Sequence, residues 1–292
     1  MASMLVTGEE RAAWLRPVQR TGERDAGPAR GGQFERGGRV VRGDLRLGQI
    51  LRGRPPGITG HQWSCAMRAQ LAYVACDAGT GAPALAVQLR GPVPGGTRDD
   101  RMTDAVCAAV GLPLLRVEST TLAARGYARR LVEYVLDAHA FTEAIGDGPG
   151  YRELTGRLPD GRTGFVNDLS VLARAAAVDL YAARQVADPT IRGLHVRWAD
   201  GVAEGWAWLD MPGGGCVFER VRVWERRFSC GVQPAQLAED LAAAAIGEWL
   251  KRLDTEAPPL CSRTDLAWEF RHLRLRRDEM RDEFRYDHVT FD

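Results

Sequence analysis

The residues of this 292-residue chain that could do phosphate chemistry are a few acids and a larger set of arginines. Asp77, Asp100 and Asp104, with Glu10 far upstream, are the carboxylates that could converge on a hard divalent cation such as Mg²⁺ or Mn²⁺. An ion held that way stabilises phosphate charge and generates hydroxide near neutral pH. Arg39, Arg42, Arg90 and Arg98 lie in the same half of the chain, and Arg220 and Arg222 come later. A guanidinium stays protonated, so it can bind phosphate but cannot act as a base. The one lysine, Lys251, is far from this stretch, which leaves no local catalytic lysine.

The elements that must position these side chains are legible between Gln70 and Val117. Residues 71–76 and 85–89 are short apolar runs joined by Asp77-Ala78-Gly79-Thr80-Gly81, the pattern of a β-hairpin with a glycine-containing loop. From Asp100 to Val110, Met102, Ala105, Val106 and Ala109 fall at i, i+3, i+4, i+7, which predicts a helix with one apolar face. Gly111 ends it ahead of the apolar run Leu112–Val117, a buried strand. The unit is hairpin, helix, strand.

That order and its GLPLLRV ending resemble the core of the PD-(D/E)XK, or restriction-endonuclease-like, superfamily, and most specifically the bacterial family called domain of unknown function 2726. The resemblance covers residues from about 5 to 120. Asp104, Gly111, Leu112, Pro113, Leu114, Leu115 and Arg116 match the family pattern, and Arg98-Asp99-Asp100 stands where its "RD" is expected. Its acidic positions are replaced: Ala72 falls where the first metal-binding aspartate belongs, Gln88 where the glutamate belongs, and Arg90 where a polar residue or lysine follows. Alanine supplies no ligand and glutamine only a neutral, weaker one. The resemblance therefore implies an αβββαβ nuclease-like domain that binds without cleaving.

Composition bounds the rest. With 45% hydrophobic and 26% charged residues, the chain has the content of a globular protein, long enough for one large or two ordinary domains. The absence of a long apolar run and of a signal-peptide pattern predicts a cytoplasmic protein without a membrane partner. Six cysteines without a CxxC pair indicate neither a disulfide scaffold nor a zinc ribbon. A metal site on His61, Cys65 and Cys76 would lack a fourth ligand, so these read as packing residues. Residues 11–54 hold eleven arginines against four acids. Such a cluster can steer a phosphate partner, or it can be a solvated surface biased by composition.

In chain order, Thr7 caps an opening helix with Glu10 closing a capping box, a role preferred over a part in an active site. Residues 20–38, rich in glycine and arginine, predict a flexible loop. Arg39–Arg42 is a short strand, residues 45–51 form one or two helical turns, and 61–70 is a short helix or strand. A helix over Tyr127–Ile145 ends at a glycine-rich segment, where a domain boundary at 146 is expected. Asn167 or Asp168 caps the next helix, which runs to about Val186.

Residues 193–228 predict antiparallel sheet with an Asp-Gly turn at 200–201. There Phe218, Arg220, Arg222, Trp224 and Arg226 share one parity and Val217, Glu219, Val221, Val223 and Glu225 the other. The Arg/aromatic face could stack bases and neutralise phosphates, or serve as an exposed ladder or a partner surface. A helix over Pro234–Leu253 follows, and the tail from Thr264 to Tyr286 reads as a final, solvated helix stabilised by opposite charges three and four apart.

The fold class expected is mixed α/β: a nuclease-like domain over 1–146, then a smaller α+β domain over 147–292. The function expected is a catalytically inactive nuclease-like protein acting as a nucleic-acid-binding or assembly subunit, in DNA maintenance or defence. No cofactor is expected. The alternatives are a metal-dependent nuclease with relocated carboxylates, which alone would need Mg²⁺, and a protein-interaction module that does not touch nucleic acid. Phosphate contacts are expected from Arg39, Arg42, Arg90, Arg98, Arg220 and Arg222.

Overall fold

A computed structural model describes residues 13–18, 32–92, 98–146, 150–158 and 161–285, with side chains described through 282. The fold is mixed α/β. It divides into two compact units, and the chain passes between them at 117/118, 125/126, 140/141, 224/225 and 230/231, where the sequence reading has a single boundary at 146.

Unit 1 opens within the segment expected to be a flexible loop. Strand β1 (Phe34–Arg36) turns through Gly37 and Gly38, both at positive φ, into β2 (Arg39–Arg46). Two consecutive left-handed residues fit the tight hairpin turn that suits strand twist, and glycine adopts them without strain. Phe34 fixes the short strand: its ring meets Tyr73 edge-on at 5.7 Å, and Arg129 stacks over it at 4.6 Å. The loop expectation is thus corrected for 34–38; its remainder up to residue 31 lies outside the described residues, as do Thr7 and Glu10.

After the single turn of α1 (Leu47–Ile50), helix α2 (Gly60–Ala66) starts at a capping box. The Thr59 hydroxyl accepts from the Gln62 amide at 3.2 Å and Gln62 Oε1 accepts from the Thr59 amide at 2.8 Å. Strands β3 (Gln70–Asp77) and β4 (Pro83–Arg90) form the expected hairpin. Helix α3 (Arg98–Ala109) buries Met102, Thr103, Val106 and Cys107, ends at Gly111 with φ +69°, and delivers the wholly buried β5 (Leu114–Glu118). The strand order is β1-β2-β3-β4-β5. Leu47, Ile50, Leu71, Val74, Val106 and Leu114 are among the buried side chains of its core.

The short helix α4 (Thr120–Ala124) belongs to unit 2, while α5 (Ala128–Ile145) starts in unit 1. Unit 2 continues with a small hairpin, β6 (Thr155–Arg157) and β7 (Thr163–Phe165), and then α6 (Val171–Ala182). The N-cap of α6 is Ser170, not Asn167 or Asp168. Asp168 braces that cap instead, accepting from the Ser170 amide at 2.7 Å and hydroxyl at 2.6 Å. Strands β8 (Arg192–Trp198), β9 (Ala203–Asp210) and β10 (Cys216–Arg226) form the expected antiparallel run.

Helix α7 (Pro234–Leu250) is buried along most of its length, and β11 (Leu260–Cys261) pairs with β10. The tail corrects the single-helix expectation: α8 (Arg263–Leu275) stops, and β12 (Met280–Arg285) pairs antiparallel with β8. No helix among the described residues is long and apolar enough to cross a membrane.

Helix α7 carries alanines from 242 to 245 because it lies almost against the sheet. A Cβ on Gly205 of β9 would fall 2.1 Å from the backbone nitrogen of Glu239. Two buried acids sit on this helix. Glu239 Oε2 is 2.6 Å from His195 Nδ1, and Asp240 is 3.1 Å from Arg152, which also reaches Asp168 at 3.3 Å.

Burial raises the Asp240 carboxyl well above its ordinary range, with the nearby Asp168 and Glu239 adding to the rise and Arg152 and Arg174 opposing it. A raised folded pKa contributes stability that is present below the unfolded carboxylate range and is lost as pH rises through the folded value. Asp240→Asn should therefore flatten the pH dependence and make the variant more stable than wild type at pH 8 but not at pH 4. Urea unfolding at the two pH values checks this; an equal difference at both would rule it out.

Candidate functional site

The pleat period of two puts Gln70 and Ala72 on one face of β3, and Gln88 and Arg90 on the matching face of β4. The Tyr73↔Val87 register sets Ala72 across from Gln88 and Gln70 across from Arg90. These residues line a cleft of about 570 Å³, joined by Asp44 from β2, Arg68 after α2, and Asp99, Asp100 and Thr103 from α3. All of it lies within unit 1. The structure thus brings together Ala72, Gln88, Arg90 and Asp100, and sets Asp104 behind them.

What fills this place is a network of arginines on acids. Arg90 grips Asp100 with both terminal nitrogens, one bond measuring 2.6 Å. Arg116, only 2% exposed, donates from Nη2 to Asp104 at 2.6 Å and from Nη1 at 3.3 Å. Its Nε donates to Gln88 Oε1 at 2.9 Å and lies 3.7 Å from Asp100. Gln88 in turn donates from Nε2 to the Gln70 carbonyl at 2.9 Å, so its amide is used at both ends. Arg226 adds a second cation to Asp104 at 3.3 Å. Bidentate arginine–carboxylate pairs are strong and fixed in geometry, so a metal ion would have to displace guanidinia to reach these oxygens. No group of three His, Cys, Asp or Glu side chains able to hold a metal ion exists among the described residues.

Asp77 is placed elsewhere. It stands at the hairpin turn, where Oδ1 accepts from the Gly79 amide at 3.1 Å and from the Thr80 amide and hydroxyl at 2.9 Å. The Thr80 bonds, more than Arg39 at 3.8 Å, hold its carboxyl below the usual range. It lies five strand positions past Ala72, about 16 Å along the strand at roughly 3.3 Å per residue. Its work is to shape the turn.

Among the arginines expected to meet phosphate, Arg42 is 9% exposed and turned inward, and Arg39 pairs with Asp77. Arg98 opens α3 on the surface. Arg220 and Arg222 stand on β10 in unit 2, on the half-buried parity of that strand.

Sequence reasoning gave Arg116 no role, although a charge inside the buried run Leu112–Val117 was a signal that a counter-ion must be near. Asp44, at φ 53°, and Arg68 also line the cleft without having been singled out. Cys76 and Cys107 are poorly disposed to act as nucleophiles: burial pushes Cys76 up to about 11 and Cys107 to about 12, and the reactive species is the thiolate. Compared with protein-family models, curated proteins and solved structures, the chain matches none of them.

Proposed function

We propose that unit 1 is a nuclease-like scaffold that does not cleave, and that the protein acts by recognising nucleic acid, as a binding or assembly subunit in DNA maintenance or defence. One observation carries the first part: Asp100, which lines the cleft, and Asp104 behind it are both held by two-pronged arginine contacts. Carboxylates so engaged are poor ligands for a hard cation, and Gln88 offers only an amide oxygen already bonded to Arg116.

Incubation with single- and double-stranded DNA in Mg²⁺ or Mn²⁺ should give no strand scission. Binding should weaken as salt rises, in proportion to the phosphates contacted. Scission abolished by Asp100→Asn would overturn this reading in favour of a nuclease with relocated ligands.

A second reading, a protein-interaction module, is favoured by the charges lining the cleft. Asp44, Asp99 and Asp100 outnumber Arg68 and Arg90, a balance that does not attract phosphate into that hollow. Absence of nucleic-acid binding even at low salt would select it.

A further inference from the structure

The Arg/aromatic face of β10 forms, with β8, β9 and α8, a hollow of about 220 Å³ within unit 2. At its base is Glu204, 2% exposed. Its carboxylate accepts from Trp206 Nε1 at 2.7 Å, Trp198 Nε1 at 3.2 Å and Arg222 Nε at 2.9 Å, with Arg220 Nε at 3.5 Å. One buried acid therefore fixes two indoles and a guanidinium.

Two further guanidinia lie flat on the indoles, Arg220 at 4.6 Å over Trp206 and Arg276 at 3.9 Å over Trp198. Helix α8 supplies the rim: Glu269, which pairs with Arg220, and Trp268, 53% exposed with its ring 3.9 Å from that of His272.

The arginines of this hollow are not equally engaged. Arg220 is shared between Glu204 and Glu269, and Arg276 is tied to Glu279. Arg222 meets protein only through Nε, and its two terminal amino groups have no partner among the described residues, with the side chain 35% exposed. It is a fork aimed by a buried acid and open at its tines. With Arg220 and Arg276 met by glutamates, the open end of the Arg222 fork is the donor left for an anion, and the half-exposed indole offers a flat surface.

We infer that this hollow binds a nucleoside phosphate, the base stacking on Trp268 and the phosphate taken by the Arg222 fork. The inference rests on the nucleic-acid reading above and deepens it. The volume is below that of sites for drug-sized molecules, which fits one planar group. Base stacking on an aromatic side chain requires a base whose face is free, so the natural source is a single strand rather than a duplex.

The test is fluorescence anisotropy of the intact protein with a labelled oligo(dT), with free TMP and an unlabelled duplex as competitors. Trp268→Ala and Arg222→Gln should each weaken binding by about tenfold or more, a range typical of losing one stacked base or one charged contact. Trp268→Phe should keep most of it, and Arg101→Gln, exposed on α3 in unit 1, should have no effect. TMP competing as well as the oligonucleotide, phosphate for phosphate, identifies the ligand as a free nucleotide and supports the same site.

Other results overturn it. If the single strand binds wild type and both variants equally, or binding is lost only with Arg101→Gln, this hollow is not the site. Salt-dependent duplex binding without single-strand binding removes the hollow's role while leaving the preceding reading intact. Binding of neither removes both.

Discussion

Replacing Arg116 with methionine is expected to cost unit 1 about 3–5 kcal/mol, the usual result of removing one partner from a buried ion pair. The side chain is 2% exposed and holds Asp104, Gln88 and, at longer range, Asp100. Methionine fills similar space, so the loss is electrostatic: Asp104 keeps only the more exposed Arg226, and Gln88 Oε1 loses its donor. Adding Asp104→Asn should restore part of the loss, because the stranded charge is then gone. The measurement is the urea midpoint at constant m. A loss below about 1 kcal/mol would show that water enters the cleft and solvates Asp104, contrary to a dry network.

Gly205→Ala should be as damaging to unit 2, at about 3 kcal/mol or more, or should prevent folding. The added Cβ would lie 2.1 Å from Glu239 N and 2.2 Å from Ala238 C, both helix backbone. Neither atom can rotate aside, so α7 or β9 must move. Gly193→Ala makes the comparison informative. The three atoms nearest its Cβ would all belong to the Glu239 side chain, the closest at 2.7 Å, and that chain can swing away. The expected order is Gly205→Ala well above Gly193→Ala, read from soluble yield and thermal unfolding. Equal tolerance of both would mean that α7 does not pack on β9 as described.

Strands β3, β4 and β5 could be read because burial on both faces leaves short apolar runs between turn signals, and α3 because burial on one face imposes a period. The alternate parities of β10 were readable for the same reason. β12 was not. As an edge strand it carries charges, which suit an unpaired edge, and those charges happen to fall at spacings that also stabilise a helix. β1 was hidden by its glycines, since what holds it is Phe34 against Tyr73, a contact far apart in sequence.

The cleft was half legible. The resemblance singled out Ala72, Gln88 and Arg90, but spacing says nothing about which acid an arginine will reach. Arg90 to Asp100 and Arg116 to Asp104 emerge only once α3 is laid beside the strands. Asp77 stands apart from this cleft, its side chain accepting two bonds from Thr80 that a turn makes for itself.

The doubly bonded Gln88 amide sets what a carboxylate placed at that position would meet. A glutamate installed there would meet Arg116 Nε and become its counter-ion, while losing the donor that reaches the Gln70 carbonyl. A first step toward ion coordination is thus penalised, and only prior removal of the arginines would make it useful. Conversion by single substitutions, taken in any order that begins with the acid, runs uphill.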